Sequence, residues 1–460
     1  MDSHHIRTTR KRGLDSSSKE LRRFPTPLRL VLGLAILLII GTLLLMLPGM
    51  GQGQMLSPIE ALFTATSALA VTGLSIITPV QQLTGLGQVV LLLLIQVGGV
   101  GFMVMAVVLF RLIGRRISLV ERQALCDSLG LLRPEAILQL TQRVLLTVAT
   151  IELIGAAFLW VHWRDQLGPG RAVFYALFHS VSAFCNAGFD LFGGLPEYPN
   201  GLPTDNVTLL ILGSLIVLGG LGIPVLGDVL VFHRERRLSL HTRVTLWVAM
   251  ILIVVGGLGI FLAESTTSSA LLTDPWPRRL LRTTFQSISA RTAGFAGVSL
   301  TDLTAPSQLL MMILMFIGAA PASMGGGITT GTFATLVLTL WGYARGHDPV
   351  QIGGRRLGTD MVRKASAVLT VSLFIVLLAT WLILVTHDID LDSALFEVIS
   401  AFATCGLTLN FTSELNLFGQ LVIIFMMFWG RLGALTIVLA LAQQPPRQLV
   451  SFPEEQILIG

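Results

Sequence analysis

Four short stretches of the chain hold the residues whose types and spacing point to chemistry. In register, Ala61-Leu62-Phe63 leads to Thr72-Gly73-Leu74 and Ala176-Leu177-Phe178 to Ala187-Gly188-Phe189. Likewise Thr284-Phe285 leads to Ala293-Gly294-Phe295, and Ala394-Leu395-Phe396 to Cys405-Gly406-Leu407. The phenylalanine stands ten residues before the glycine in three copies and nine in the third, and a serine (Ser67, Ser182, Ser289, Ser400) recurs between them. Glycine takes up backbone angles that other residues adopt only at a cost, so it can centre an extended strand with carbonyls turned to one side. A ring of such carbonyls replaces the hydration shell of a cation inside a membrane, and a preceding half-helix presents the negative end of its dipole. The lining positions are then Val71, Thr72, Gly73 and Leu74; Asn186, Ala187, Gly188 and Phe189; Thr292, Ala293, Gly294 and Phe295; and Thr404, Cys405, Gly406 and Leu407. Glycines that merely pack helices predict small-xxx-small spacing inside full spans, which this repeat does not follow.

The elements that must position these stretches are apolar. Hydrophobic residues make up 53% of the chain and charged residues 12%, against roughly a quarter charged in soluble domains. Eight segments, near 27–48, 86–112, 141–162, 206–232, 243–264, 306–344, 365–386 and 417–442, reach the ~20 helical residues a bilayer core requires. The glycine stretches near 57–72, 171–187, 279–293 and 391–405 are too short to span and read as re-entrant half-helices. Each unit is thus helix, half-helix, helix, with central glycines 115, 106 and 112 residues apart. The expected fold is an all-α polytopic membrane protein of eight spans, with four helix–pore-loop–helix repeats about a pseudo-four-fold axis, as in potassium channels. Its divisions are a tail 1–26, repeats 27–113, 138–232, 242–344 and 361–442, and a tail 443–460.

The net charge of +5 forms no single nucleic-acid-binding patch. Segments 1–29, 111–143, 234–243 and 345–364 carry 23 Lys and Arg residues, and the four intervening loops carry 6. This bias puts both termini in the cytoplasm; the third loop, with Arg278, Arg279, Arg282 and Arg291, runs against it. Cys126, Cys185 and Cys405 have neither metal-site nor disulfide spacing. No HExxH, Ser-His or acidic metal cluster argues for an enzyme.

Residues 306–344 as one helix would be ~60 Å long, twice the hydrocarbon core. The run Gly318-Ala319-Ala320-Pro321-Ala322-Ser323-Met324-Gly325-Gly326-Gly327-Ile328-Thr329-Thr330-Gly331 breaks it. A break at membrane depth lines a cavity or lies against protein, and its functional reading is a gate below the filter. Arg431 lies twelve residues before Gln443, ~18 Å along a helix, which is deep enough to mark it as inward-facing and functional. A structural pairing of Arg431 with helix carbonyls is the plainer alternative. Arg291 should turn from the axis and pair with an acid or with carbonyls. Asp190 suits a cation-attracting mouth or a solvated loop equally, and Glu152 and Asp228 have no assigned role.

With Ser289-Ala290-Arg291-Thr292-Ala293-Gly294-Phe295, the glycine run 325–331 and Gly430-Arg431, the sequence resembles the Trk/Ktr/HKT superfamily of potassium transporters. It is most similar to the membrane subunit of bacterial Ktr-type systems. The resemblance implies filter glycines at Gly73, Gly188, Gly294 and Gly406, and a gate of Gly325, Gly326, Gly327, Thr329, Thr330 and Arg431. It further implies a homodimer in a bacterial inner membrane, on a cytosolic ring of nucleotide-binding regulatory subunits, with Gln456-Ile457-Leu458-Ile459-Gly460 helping to hold the dimer. In plant members a serine at the first filter glycine accompanies sodium transport, so four glycines favour potassium. No cofactor is expected beyond transported potassium ions, with sodium stimulation open, and the partners are lipid and protein rather than nucleic acid. A sodium- or proton-coupled symporter is the alternative. The repeats read as parallel, whereas coupled transporters use inverted ones, and this favours the pore.

Overall fold

The computed structural model describes residues 26–100, 137–198, 201–236, 238–265, 270–346, 351–352, 355–356 and 358–433. The tails expected at 1–26 and 443–460, including Gln456–Gly460, lie almost wholly outside these residues, as does Cys126.

The helices fall into groups around the four glycine stretches. They are α1 (Thr26–Leu45), α2 (Pro58–Ala70) and α3 (Gly85–Val100), then α4 (Ile137–Leu167), α5 (Pro169–Phe184), α6 (Asn206–Gly220) and α7 (Ile223–Glu235). Next come α8 (Leu240–Ser265), α9 (Trp276–Ala290), α10 (Ala305–Ile317) and α11 (Thr330–Ala344), and finally α12 (Thr359–Thr386), α13 (Leu391–Phe402) and α14 (Leu417–Leu432). Three short turns (Pro79–Gln82, Ala270–Thr273, Phe411–Glu414) and the two-residue strands Gln351–Ile352 and Arg355–Arg356 complete the described elements. By length and composition, Val144–Leu167, α8 and α12 can each cross a bilayer alone. Val31–Leu45, α3, α10 and α14 are shorter apolar helices, and residues 101–112 and 434–442 of the expected segments lie outside the described residues.

One expectation needs correction. Residues 206–232 are not a continuous span, because α6 and α7 meet at a 102° bend. Gly222 has φ +85° and Pro224 follows in the first turn of α7; proline has no N–H to continue the preceding helix. The run Gly219-Gly220-Leu221-Gly222-Ile223-Pro224 carried that signal in the sequence.

The short helices start where the chain supplies caps. Ser57 and Glu60 form a capping box, with Ser57 N–H donating to Glu60 Oε2 at 2.8 Å, and Pro58, Pro169 and Pro277 occupy first-turn positions where no backbone donor is needed. All four aligned phenylalanines, Phe63, Phe178, Phe285 and Phe396, are buried to 1% exposure or less. The outer faces are apolar as well: Ile39, Leu93, Phe158, Val255 and Phe374 are each more than half exposed, as suits a lipid solvent.

Each of α2, α5, α9 and α13 packs on the helices to either side of it and on one from the group before. The pairs are α3 with α5, α6 with α9, α10 with α13, and α14 with α2, so the order closes on itself. Glycines allow the approach. A Cβ on Gly98, Gly219 or Gly430 would land on the carbonyl oxygen of Leu69, Phe184 or Phe402 respectively, four residues before Gly73, Gly188 and Gly406. Overpacking of this kind costs about 1–3 kcal/mol. Gly430→Ala is therefore expected to lower the unfolding temperature of the detergent-purified protein; an unchanged thermal transition would mean the α14–α13 contact is looser than described.

Candidate cation filter and gating loop

The helices α2, α5, α9 and α13 each end shortly before the glycine they precede. Two residues ahead of that glycine the backbone turns left-handed in every copy, at Val71 (φ 58°), Asn186 (58°), Thr292 (80°) and Thr404 (49°). The glycines follow at φ 87°, 67°, 79° and 91°. Such angles cost about 1–3 kcal/mol at a non-glycine residue, and three of the four leading residues are β-branched, so the surroundings must enforce them. The serines contribute. Ser67 Oγ accepts from Gly73 N–H at 3.0 Å and Ser400 Oγ from Gly406 N–H at 3.1 Å. Ser182 and Ser289 hydroxyls instead donate to the carbonyls of Phe189 and Phe295, at 3.0 and 2.6 Å.

The four strands meet. A Cβ on Gly73 would fall on the carbonyl oxygen of Ala187, one on Gly188 on that of Ala293, one on Gly294 on that of Cys405, and one on Gly406 on that of Thr72. Each glycine thus faces the residue before the next glycine, and the fourth returns to the first. Of the sixteen residues assigned to this lining, only the glycines keep solvent access; the other twelve are buried. The side chains pack away into protein and the accessible surface is backbone. Cys405 follows this pattern, with its thiol 3.5 Å from the carbonyls of Ser289 and Ala290.

The hydroxyls of Thr72 and Thr404 are buried without a hydrogen-bond partner among the described residues. The Asn186 amide lies 3.3 Å from Thr292 Oγ. With its nitrogen turned to the carbonyls of Ile216 and Ala183, at 3.2 and 3.0 Å, its oxygen accepts from the Thr292 hydroxyl, and this orientation satisfies both groups.

The helix that starts at Ala305 stops at Ile317 and resumes at Thr330. The intervening loop lies against the strands: a Cβ on Gly325 would meet the Thr292 side chain, and one on Gly326 the Thr404 side chain. It is also hung on the α6–α7 bend, where Ala320 N–H donates to Gly220 O (3.1 Å) and Ile223 N–H to Ala322 O (3.1 Å). Thr329 caps α11 and Thr330 N–H donates to Ala319 O at 2.8 Å. Gly327, at φ 80°, packs against Gly318.

Arg431 donates to the carbonyls of Met324, Gly98 and Gly99, joining the loop to α3. Arg291 is buried, and its Nη2 lies 3.5 Å from Gly318 O at the other end of the loop. Both arginines therefore serve backbone carbonyls. Asp190 is held within its loop: it accepts from Phe192 N–H (2.8 Å) and Gly193 N–H (3.0 Å), lies 2.9 Å from His179 Nε2, and keeps part of its side chain exposed. Glu152 takes a hydrogen bond from Gln96 at 3.1 Å. Asp228 accepts from Thr242 Oγ at 2.5 Å and from Ser239 N–H at 3.3 Å, bracing the start of α8. The sequence reading missed Gly98 and Gly219 and gave Gly430 no packing role, although the three recur 25, 31 and 24 residues after Gly73, Gly188 and Gly406.

Apolar helices enclosing a closed ring of glycine strands define a helical membrane protein of the ion-transporting class. A family described as TrkH, cation transport protein, matches residues 34–451, and the chain belongs to it. It is 37% identical to Ktr system potassium uptake protein B of Vibrio alginolyticus over 88% of this chain and 89% of that protein. It is 34% identical to potassium/sodium uptake protein NtpJ of Enterococcus hirae over 96% and 99%, and 36% identical to the Ktr protein B of Bacillus subtilis over 95% and 97%. The crystal structure of the potassium transporter TrkH from Vibrio parahaemolyticus has the same fold, with TM-score 0.71 at 19% identity, covering 90% of this chain and 83% of that one.

If Arg431 holds the loop, Arg431→Ala should loosen it. With the three native cysteines replaced by serine, Ser323→Cys should react with a maleimide about tenfold faster in the Arg431→Ala chain, the equivalent of ~1.4 kcal/mol. Equal rates would place the hold elsewhere.

Proposed function

We propose that this chain takes up potassium across a bacterial inner membrane as the pore subunit of a Ktr-type system. The observation that carries the reading is the closed ring in which each glycine faces the carbonyl before the next. Four repeats, 27–113, 138–232, 242–344 and 361–442, surround a pseudo-four-fold axis with eight spans. Their carbonyls take the place of water around a dehydrated cation. The twelve buried side chains explain how residues as different as Thr72, Ala187, Ala293 and Cys405 fit one function, since coordination falls to the backbone. The membrane potential drives entry, at about 2.3 kcal/mol per charge per 100 mV.

The loop 318–329 is the gate. It lies directly on Thr292 and Thr404, and Arg431 fixes it by backbone hydrogen bonds. A positive charge at that depth opposes a cation's exit until loop and arginine move together. The Ktr relatives are named as parts of a system, which supports a subunit that works with others; the homodimer and the cytosolic nucleotide-binding ring rest on the motif resemblance, and the cytoplasmic termini on the Lys and Arg bias. Potassium is the favoured ion on the names of those relatives; the Enterococcus protein's name adds sodium.

Purified protein in liposomes should pass rubidium or potassium under a potassium gradient alone. A strict need for sodium or a proton gradient would sink the pore reading in favour of a coupled carrier. Gly73→Ser should lower potassium-over-sodium selectivity about tenfold, ~1.4 kcal/mol, because its side chain meets the Ala187 carbonyl; unaltered selectivity would remove Gly73 from the filter. Deleting Gly325 to Gly327 should raise resting flux, and a folded deletion with normal flux would exclude the loop as gate.

A further inference from the structure

The residue after each aligned phenylalanine is a polar side chain that the filter reading leaves unused: Thr64, His179, Gln286 and Glu397. All four are buried to 1% exposure or less, on helices packed among apolar neighbours where leucine would serve. Burial of a carboxylate or an amide at membrane depth is costly unless it is matched, so what they match is informative.

Three of them reach past the end of their helix to the strand beyond the glycine. Gln286 Oε1 accepts from Gly297 N–H at 3.1 Å, while its Nε2 is buried without a partner among the described residues. Glu397 Oε2 accepts from the Thr408 hydroxyl at 2.8 Å, and its Oε1 from Thr412. His179 is pinned through Nδ1, 2.7 Å from the Tyr175 carbonyl oxygen, and its Nε2 faces Asp190 Oδ1 at 2.9 Å. Asp190, Gly297 and Thr408 stand two, three and two residues after Gly188, Gly294 and Gly406. The side chains fit their targets: where the strand offers a carboxylate it meets histidine, where it offers a hydroxyl it meets glutamate, and beside Ala296 a glutamine reaches the backbone instead.

The first copy differs. The Thr64 hydroxyl has no partner among the described residues. The strand after Gly73 is held by Ser75, which donates to Ile77 O at 2.7 Å and accepts from Ile77 N–H at 3.3 Å.

We propose that His179, Gln286 and Glu397 are struts that hold the strand beyond three of the four filter glycines and so set cation discrimination as positioning residues, while the first strand is self-braced. This rests on the filter reading above. Discrimination by carbonyls depends on their number, spacing and freedom to move. A strand tied two or three residues past its glycine cannot let those carbonyls close on a smaller ion. The struts touch no ion; they act through the backbone.

The test is the potassium-over-sodium flux ratio of the full chain in liposomes. Gln286→Met keeps the size and removes the acceptor, and is expected to lower the ratio up to about tenfold, the scale of one hydrogen bond. Gln286→Glu keeps an acceptor and should restore it. Thr64→Val, at the matching position, should leave it unchanged. If Gln286→Met does not assemble, Thr408→Val cuts the Glu397 strut from the strand side and should lower the ratio in its place. A folded Gln286→Met or Thr408→Val chain with the parental ratio overturns the struts, as does a Gln286→Glu chain no better than Gln286→Met. An unmodified chain that is selective while these variants match it overturns the struts alone; an unmodified chain that passes no cation overturns the filter reading and the struts with it.

Discussion

Four backbone strands approach so closely that only a hydrogen fits where a side chain would stand. At Gly73, Gly188, Gly294 and Gly406 the missing Cβ is replaced by the carbonyl oxygen of a neighbouring strand, and the other features serve that approach. The left-handed residues Val71, Asn186, Thr292 and Thr404 turn each chain out of its helix. Buried phenylalanines fix the helices in place, and the serines tie the strands back to them. Strain of about 1–3 kcal/mol per residue is sustained because several contacts at once forbid relaxation.

Breaking helices inside a membrane frees backbone groups that hydrocarbon cannot satisfy, at a cost of several kcal/mol each. Two breaks among the described residues answer one another. The loop after Ile317 and the bend before Ile223 exchange hydrogen bonds, Ala320 to Gly220 and Ile223 to Ala322. Arg431 joins the loop to α3 through the carbonyls of Met324 and Gly98. Guanidinium suits this work, since it presents five donors in a rigid fork.

Much of this was legible in the sequence, for a definable reason. Hydrophobic length set the helices, and a glycine recurring at a fixed distance from a phenylalanine set the half-helices, because both are local patterns repeated four times. The interruption after Ile317 was equally visible, since three consecutive glycines cannot hold a helix. The bend at Leu221–Gly222 was masked by apolar residues on both sides, although Gly222-Ile223-Pro224 spelled it out. Partners remote in sequence were not legible. Nothing near Arg431 names Gly98 or Met324, and nothing near Asp190 distinguishes an ion-facing acid from one folded onto its own loop. Side chains that act across the ring leave no spacing to read.

Because the ring is made from one polypeptide, its quadrants are unequal. The third copy is one residue shorter between phenylalanine and glycine, and the residues before the glycines are threonine, alanine, alanine and cysteine. In an assembly of identical subunits one codon change is felt four times; here it is felt once. Genetic variation can therefore adjust one side of the ring while three keep their shape, which makes gradual retuning accessible to a structure otherwise intolerant of a single added carbon.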